Sequence, residues 1–129
     1  NTPERLQYTC KLLRKARRQG LRIAVVGAPT TLKALGSALW RFQDVSFLAH
    51  CTDQDPPQVQ QASPIALGHD PHAWGIDEVL VNLGDEVPLD FGRFKRLVEV
   101  VANDDHGRAQ ARIRWKYYKH LGYELLQHD

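Results

Sequence analysis

Four groups of residues carry side chains whose type and spacing suit chemistry. The first is the stretch Gly27, Ala28, Pro29, Thr30 and Thr31, which follows the β-branched run Ile23–Val26. A helix starting there offers free backbone N–H groups and a positive dipole end to a phosphate. The stretch holds one glycine and no lysine, so it matches neither GxxxxGK[ST] nor GxGxxG, and Pro29 removes one donor. A structural turn is the leading reading, and a small nucleotide- or phosphate-binding enzyme is the alternative. The second group is Gly84, Asp85 and Glu86, just after the apolar run Glu78–Leu83. Paired carboxylates at the carboxyl end of a strand suit a metal or an acid–base pair. No histidine, lysine or serine motif stands at a supporting spacing, and adjacent side chains point apart. A turn with solvated acids is expected.

The third group is the histidines, His50, His69, His72, His106, His120 and His128, which form no HxxxH or HExxH element. His69 and His72 flank Asp70 in a proline-containing turn, and a surface loop is expected there rather than a metal site. The fourth group is near the C-terminus. Arg108, Arg112, Trp115 and Lys119 fall at offsets of four, seven and eleven, so on a helix they form one stripe. Arg114 and Lys116 flank it, and from Gly107 to Gly122 there is no Asp or Glu. The five bases Arg108, Arg112, Arg114, Lys116 and Lys119 therefore lack acidic partners within the helix. A basic stripe holding a large aromatic suits an acidic segment with an apolar anchor. Spacing alone also allows a solvated face or direct nucleic-acid contact. No catalytic centre, cofactor or metal is expected.

These residues need a scaffold. Thr2, Pro3 and Glu4 suit a cap, a first helical position and the positive dipole end. Leu6, Cys10, Leu13 and Ala16 follow helical spacing to a stop at Gly20, leaving Lys11, Arg14, Lys15, Arg17 and Arg18 on a solvated face. Ile23–Val26 reads as a buried strand. Thr30 is expected to cap a second helix carrying Leu32, Leu35, Leu39 and Trp40. Strands are expected at Val45–His50 and Ile65–Leu67, separated by an exposed polar loop with Pro56 and Pro57. A turn follows at Pro71–Gly75. Glu78–Leu83 is the best central strand, and Phe91–Val101 is amphipathic, with Phe91, Phe94, Leu97, Val98 and Val101 on one side. Asp104 and Asp105 start the last helix, which runs to Leu121 and stops at Gly122, and Tyr123–Gln127 reads as a final strand. Alternating strands and helical patterns imply an α/β fold, a three-layer α/β/α sandwich with a mostly parallel sheet.

Length and composition bound the answer. The 129 residues suit one domain with one core, and 43% hydrophobic with 25% charged residues is ordinary for a globular chain. Lys plus Arg number 17 against 15 acids, so the net charge of +2 argues against a protein that lives on phosphate backbones. Cys10 and Cys51 form neither a disulfide scaffold nor a CxxC pair, which suits a reduced, cytoplasmic protein. No apolar run is long enough to span a membrane.

Several stretches together resemble one family. They are Thr2 to Leu6 and Cys10 to Ala16 followed by Gly20; Ala38, Leu39 and Trp40; and Phe47 to His50. Val81 to Pro88, Ala111 and Arg112 to Tyr118, and Leu121 to Tyr123 complete the set. In this order they are similar to the chi subunit of bacterial DNA polymerase III holoenzyme, over nearly the whole chain apart from the polar loop. The resemblance implies a non-enzymatic accessory protein that pairs with the psi subunit, joins the clamp loader, and binds the acidic C-terminal tail of single-stranded DNA-binding protein. It implies no membrane and only indirect DNA contact. Carried over by position, the tail pocket involves Arg108, Arg112 and Trp115, with Val101 at its edge and Lys116 and Trp40 as further candidates. The bases would hold the carboxylates, and Val101 with Trp115 would pack on the tail's terminal ring. The psi surface would lie around Phe47. Two departures stand out: family members open with a strand before the first helix, and Trp115 stands where relatives carry Tyr. A single domain over residues 1–129 without that strand is expected.

Overall fold

In a computed structural model of the protein, the described residues are 2–41, 51–52, 55–56, 58, 63–68, 76–88, 91–101 and 104–122. Helix α1 (Thr2–Arg18) buries Cys10 and Leu13 and half-buries Leu6, Leu12 and Ala16, the apolar stripe that helical spacing predicts. It stops where Gly20 takes a φ of 77°. The Gly20 N–H donates to the Arg17 carbonyl at 2.9 Å and the Leu21 N–H to the Ala16 carbonyl at 3.1 Å. This is the paired closure that a left-handed residue after a helix permits.

The elements that follow are β1 (Ile23–Val26), α2 (Pro29–Arg41), β2 (Cys51–Thr52), β3 (Ile65–Gly68), β4 (Val79–Asn82), β5 (Arg96–Glu99) and α3 (Asp105–His120). The strands form one sheet in the order β2-β3-β1-β4-β5, and every pairing is parallel. In register, Ile23 lies between Ile65 and Val79, and Val79 pairs with Arg96. All four residues of β1, β3 and β4 are buried, as strands covered on both faces must be.

Alternation along the strands sorts the core into two layers. Ile23, Val25, Ile65, Leu67, Val79, Val81 and Val98 pack with Leu13 of α1 and with Leu32, Leu35 and Leu39 of α2. On the opposite face Ala24, Val26, Ala66 and Leu80 meet Ile76, Phe94, Phe91 and Leu97. Helix α3 belongs to this second side, because its Tyr118 ring sets edge-on against Phe91 at 5.2 Å. The α/β/α reading is thereby met.

Three local expectations change. Phe91–Val101 is not a helix: Phe91–Arg93 is one 3-10 turn, and Arg96–Glu99 is β5. The spacing of its apolar residues fits a helix, yet Leu97 and Val98 point to opposite faces of the sheet and pair in register with Leu80 and Val81. Pairing with β4 overrides the local period. Helix α2 begins at Pro29 rather than being capped by Thr30, and the Leu32 N–H donates to the Ala28 carbonyl at 3.0 Å. Proline suits that first turn because its missing N–H has no helical acceptor there. Glu78–Leu83 is an interior strand as expected, though β1 holds the centre of the sheet. The strands expected at Val45–His50 and Tyr123–Gln127 and the turn at Pro71–Gly75 lie outside the described residues, as does most of the polar loop.

Candidate functional site

Helix α3 is fixed at its start by Asp104, whose Oδ1 accepts the Gly107 N–H at 2.6 Å. That is the side-chain cap which the two aspartates at the sequence boundary suggest. It ends at His120 and is capped by Leu121, and Gly122, with φ 89°, turns the chain away as its N–H donates to the Lys119 carbonyl at 3.0 Å. Between these ends Gly107, Ala111, Arg114 and Tyr118 are buried. Their spacing of four, three and four marks one face of the helix, so the outward residues follow by geometry. Arg108, Arg112, Trp115 and Lys119 share one flank of that face. Ile113, Tyr117 and Leu121 share the other.

Within the basic flank Arg112, Lys116 and Lys119 are exposed, while Trp115 is half-buried. Arg108 is exposed too, and its Nη2 lies 3.0 Å from Asp105 Oδ1, one turn earlier. Lys116 stands one turn after Arg112, nearer the crest of the helix. Val101 is half-buried in the segment that leads from β5 towards α3. Trp40 lies in α2 with its side chain undescribed, and Phe47 lies outside the described residues. Five bases without acidic partners inside the helix were expected, and two of them find partners outside the acid-free window. Arg108 meets Asp105 just upstream of the acid-free window. Arg114 is turned inward.

Arg114 is 4% exposed and belongs to a buried polar network at the carboxyl ends of β4 and β5. Its Nε and Nη2 donate to Glu99 Oε1 at 3.1 and 3.0 Å, and its Nη1 donates to the Asp85 carbonyl at 2.6 Å. The other carboxylate oxygen, Oε2, accepts from the Tyr118 hydroxyl at 2.6 Å and from Asn82 Nδ2 at 2.9 Å. Asn82 Nδ2 also donates to the Glu86 carbonyl at 3.0 Å, and Asn82 Oδ1 accepts the Gly84 N–H at 2.9 Å. Burial, reinforced by the adjacent Glu99 charge, holds the Tyr118 phenol well above its usual range. From the opposite layer Arg5 of α1 donates to the carbonyls of Val100, at 3.1 Å, and Leu83. Burial lowers its pKa, against the opposing pull of Asp85.

This network bears on the two catalytic alternatives. Open parallel sheets bind ligands beyond the carboxyl ends of their strands. Here the ends of β4 and β5 are filled by Arg5, Arg114, Glu99 and Asn82. The turn that holds Asp85 and Glu86 serves through its backbone carbonyls, while both of those side chains are exposed. Asp85 Oδ2 lies 3.4 Å from His106 Nε2 on the surface. The Gly27 turn is packed against its neighbour: a Cβ on Gly27 would lie 3.2 Å from Leu83 Cβ and 3.6 Å from the Gly84 nitrogen. Close approach of the turns after β1 and β4 is therefore the role of Gly27. Among the described residues no group of three or more His, Cys, Asp or Glu could hold a metal, and no helix is long and apolar enough to cross a membrane. His50, His69, His72 and His128 lie outside them.

Sequence reasoning missed Glu99, Asn82 and Tyr118 as a unit, because their pairing spans three elements. It also missed the second flank of α3. Ile113 is 63% exposed, and Tyr117 and Leu121 are each 48% exposed. Their spacing of four residues was a readable signal. Compared with known proteins, residues 1–126 match the sequence model described as DNA polymerase III chi subunit, HolC. The DNA polymerase III subunit chi of Pseudomonas aeruginosa is 30% identical over 125 residues, covering 96% of this chain and 85% of that protein.

Proposed function

The chain belongs to the DNA polymerase III chi subunit family, and on that premise we propose that it is a non-catalytic adaptor of the replicative polymerase. It links the clamp loader, through the psi subunit, to the acidic C-terminal tail of single-stranded DNA-binding protein. Arg108 and Arg112 hold the tail's carboxylates, assisted by Lys116. Trp115 and Val101 form the apolar wall for its terminal ring, with Trp40 as a further contact. Psi docks around Phe47. The adaptor works in the cytoplasm, at the nucleoid, and meets DNA only through its partners.

One observation carries this reading. Helix α3 buries Gly107, Ala111, Arg114 and Tyr118, which turns Arg112, Lys116 and Lys119 outward beside the half-buried Trp115. A flank of cations around an aromatic edge suits an anionic peptide with a terminal ring, since charge-assisted bonds orient the acids and the ring supplies apolar burial. The reading of Gly27 as a phosphate site has less support, because that turn is packed on Leu83 and Gly84.

Sedimentation of the chain mixed with purified psi and a labelled tail peptide tests the adaptor as a whole. The peptide and psi should migrate together only when the chain is present. Binding of either partner to the exclusion of the other would defeat the bridge.

A further inference from the structure

The flank of α3 opposite the basic stripe carries an apolar ridge that the adaptor reading does not use. Ile113, Tyr117 and Leu121 follow one another at every fourth residue and are 63%, 48% and 48% exposed. They are the exposed large hydrophobics of the described residues: Ile113 and Tyr117 lie on α3, and Leu121 caps its C-terminal end. Scattered apolar residues on a surface are ordinary, but a contiguous ridge of them marks an interaction site. The ridge is anchored rather than loose. The Tyr117 ring meets Phe91 edge-on at 6.3 Å and Tyr118 at 6.4 Å, so part of the surface is pre-ordered for a partner.

Charge decides what covers it. Lys116 stands one turn after Ile113, His120 stands three residues after Tyr117, and both are exposed. No acid occurs between Gly107 and Gly122. A second copy laid antiparallel on this ridge would bring Lys116 of both chains to the rim of the seam, with no carboxylate on α3 between Gly107 and Gly122 to offset them. Such like-charge contact is unfavourable. A ridge at helical spacing along two turns suits the apolar face of another helix.

We propose that the Ile113–Tyr117–Leu121 ridge is a second docking site on α3 that receives an acidic amphipathic helix of a partner protein. Its leucine-like face covers the ridge, and its carboxylates meet Lys116 and the crest of α3. The site goes beyond the tail reading and does not depend on it: the apolar walls of the two surfaces lie on opposite flanks of one helix, with Lys116 at the crest between them.

The probe is a synthetic helix with Leu at every fourth position and Glu over the rest of its surface, followed by fluorescence anisotropy against the full chain. Ile113→Glu changes a side chain with no buried role, so the fold should persist. Lys116→Glu tests the charge arm. Each should weaken the helical probe about tenfold or more, the range that a central contact commands. Ile113→Glu should leave binding of an acidic peptide ending in Asp-Phe unchanged. Should the tail peptide fail to bind at all, the adaptor reading fails while binding of the helical probe still supports this site. Equal binding of the helical probe to wild type and Ile113→Glu, or none to either, overturns the proposal. So does equal loss of both peptides in Ile113→Glu, which would mean one shared surface. Self-association of the wild type that Ile113→Glu abolishes would assign the ridge to a second copy and overturn it too.

Discussion

Arg114 Nη2 lies 3.0 Å from Glu99 Oε1, with the two side chains 4% and 5% exposed, so α3 is tied to β5 by an ion pair inside the protein. The pair takes the one base of α3 that points inward and leaves the others on the surface. It also sets the rotation of the helix. With Arg114 and Tyr118 both bound to Glu99, Arg112 and Trp115 can only face the basic flank, and Ile113 and Tyr117 the other.

Removing Arg114 therefore acts on stability first. Arg114→Ala strands the Glu99 carboxylate in a buried site and should cost about 3–5 kcal/mol in urea denaturation. Arg112→Ala, two residues away and exposed, should change stability by less than about 0.5 kcal/mol. Comparable losses in the two variants would contradict the division of α3 into an anchoring face and a presenting flank.

Tyr118 gives the fold an alkaline weakness. Its phenol is held above the usual range in the folded protein, whereas the unfolded chain ionises it normally. The stability it contributes is thus fully present below about pH 10 and lost as pH rises beyond that, because the unfolded state releases its proton first. Stability of the wild type should fall above about pH 10 more steeply than that of Tyr118→Phe, by up to about 1.4 kcal/mol per pH unit. Parallel curves would show that Tyr118 ionises alike in both states.

Gly27 is predicted to act in packing. Gly27→Ala places a methyl 3.2 Å from Leu83 Cβ, and the expected cost is about 1–3 kcal/mol, read as a lower melting temperature. Millimolar ATP or NAD should leave the melting temperature of the wild type in place. A rise of several degrees with either ligand would restore the phosphate-site reading.

Local signals explain what was legible in the sequence. Gly20 and Gly122 stop their helices with positive φ, Asp104 caps α3, and the buried runs Ile23–Val26 and Val79–Asn82 are strands. Each of these depends on a few adjacent residues. What escaped depends on partners far along the chain. Phe91–Val101 carries a helical period, and only its pairing with β4 makes Arg96–Glu99 a strand. Arg114 looked like one more surface base until Glu99, 15 residues earlier, met it across the α3–β5 contact. The basic stripe itself was visible because a single helix carries it. Its division into an anchoring arginine and presenting ones was not, since spacing does not say which face of α3 the sheet covers.

On the proposed reading, the basic flank of α3 holds an acidic peptide by its carboxylates. Calorimetric titration of the whole chain with an acidic peptide ending in Asp-Phe, beside Arg112→Ala and at two salt concentrations, tests it most directly. The wild type should bind, Arg112→Ala should bind about tenfold or more weakly, and added salt should weaken binding further as it screens the exposed charges. Equal binding by the two proteins, or binding by neither, would contradict it.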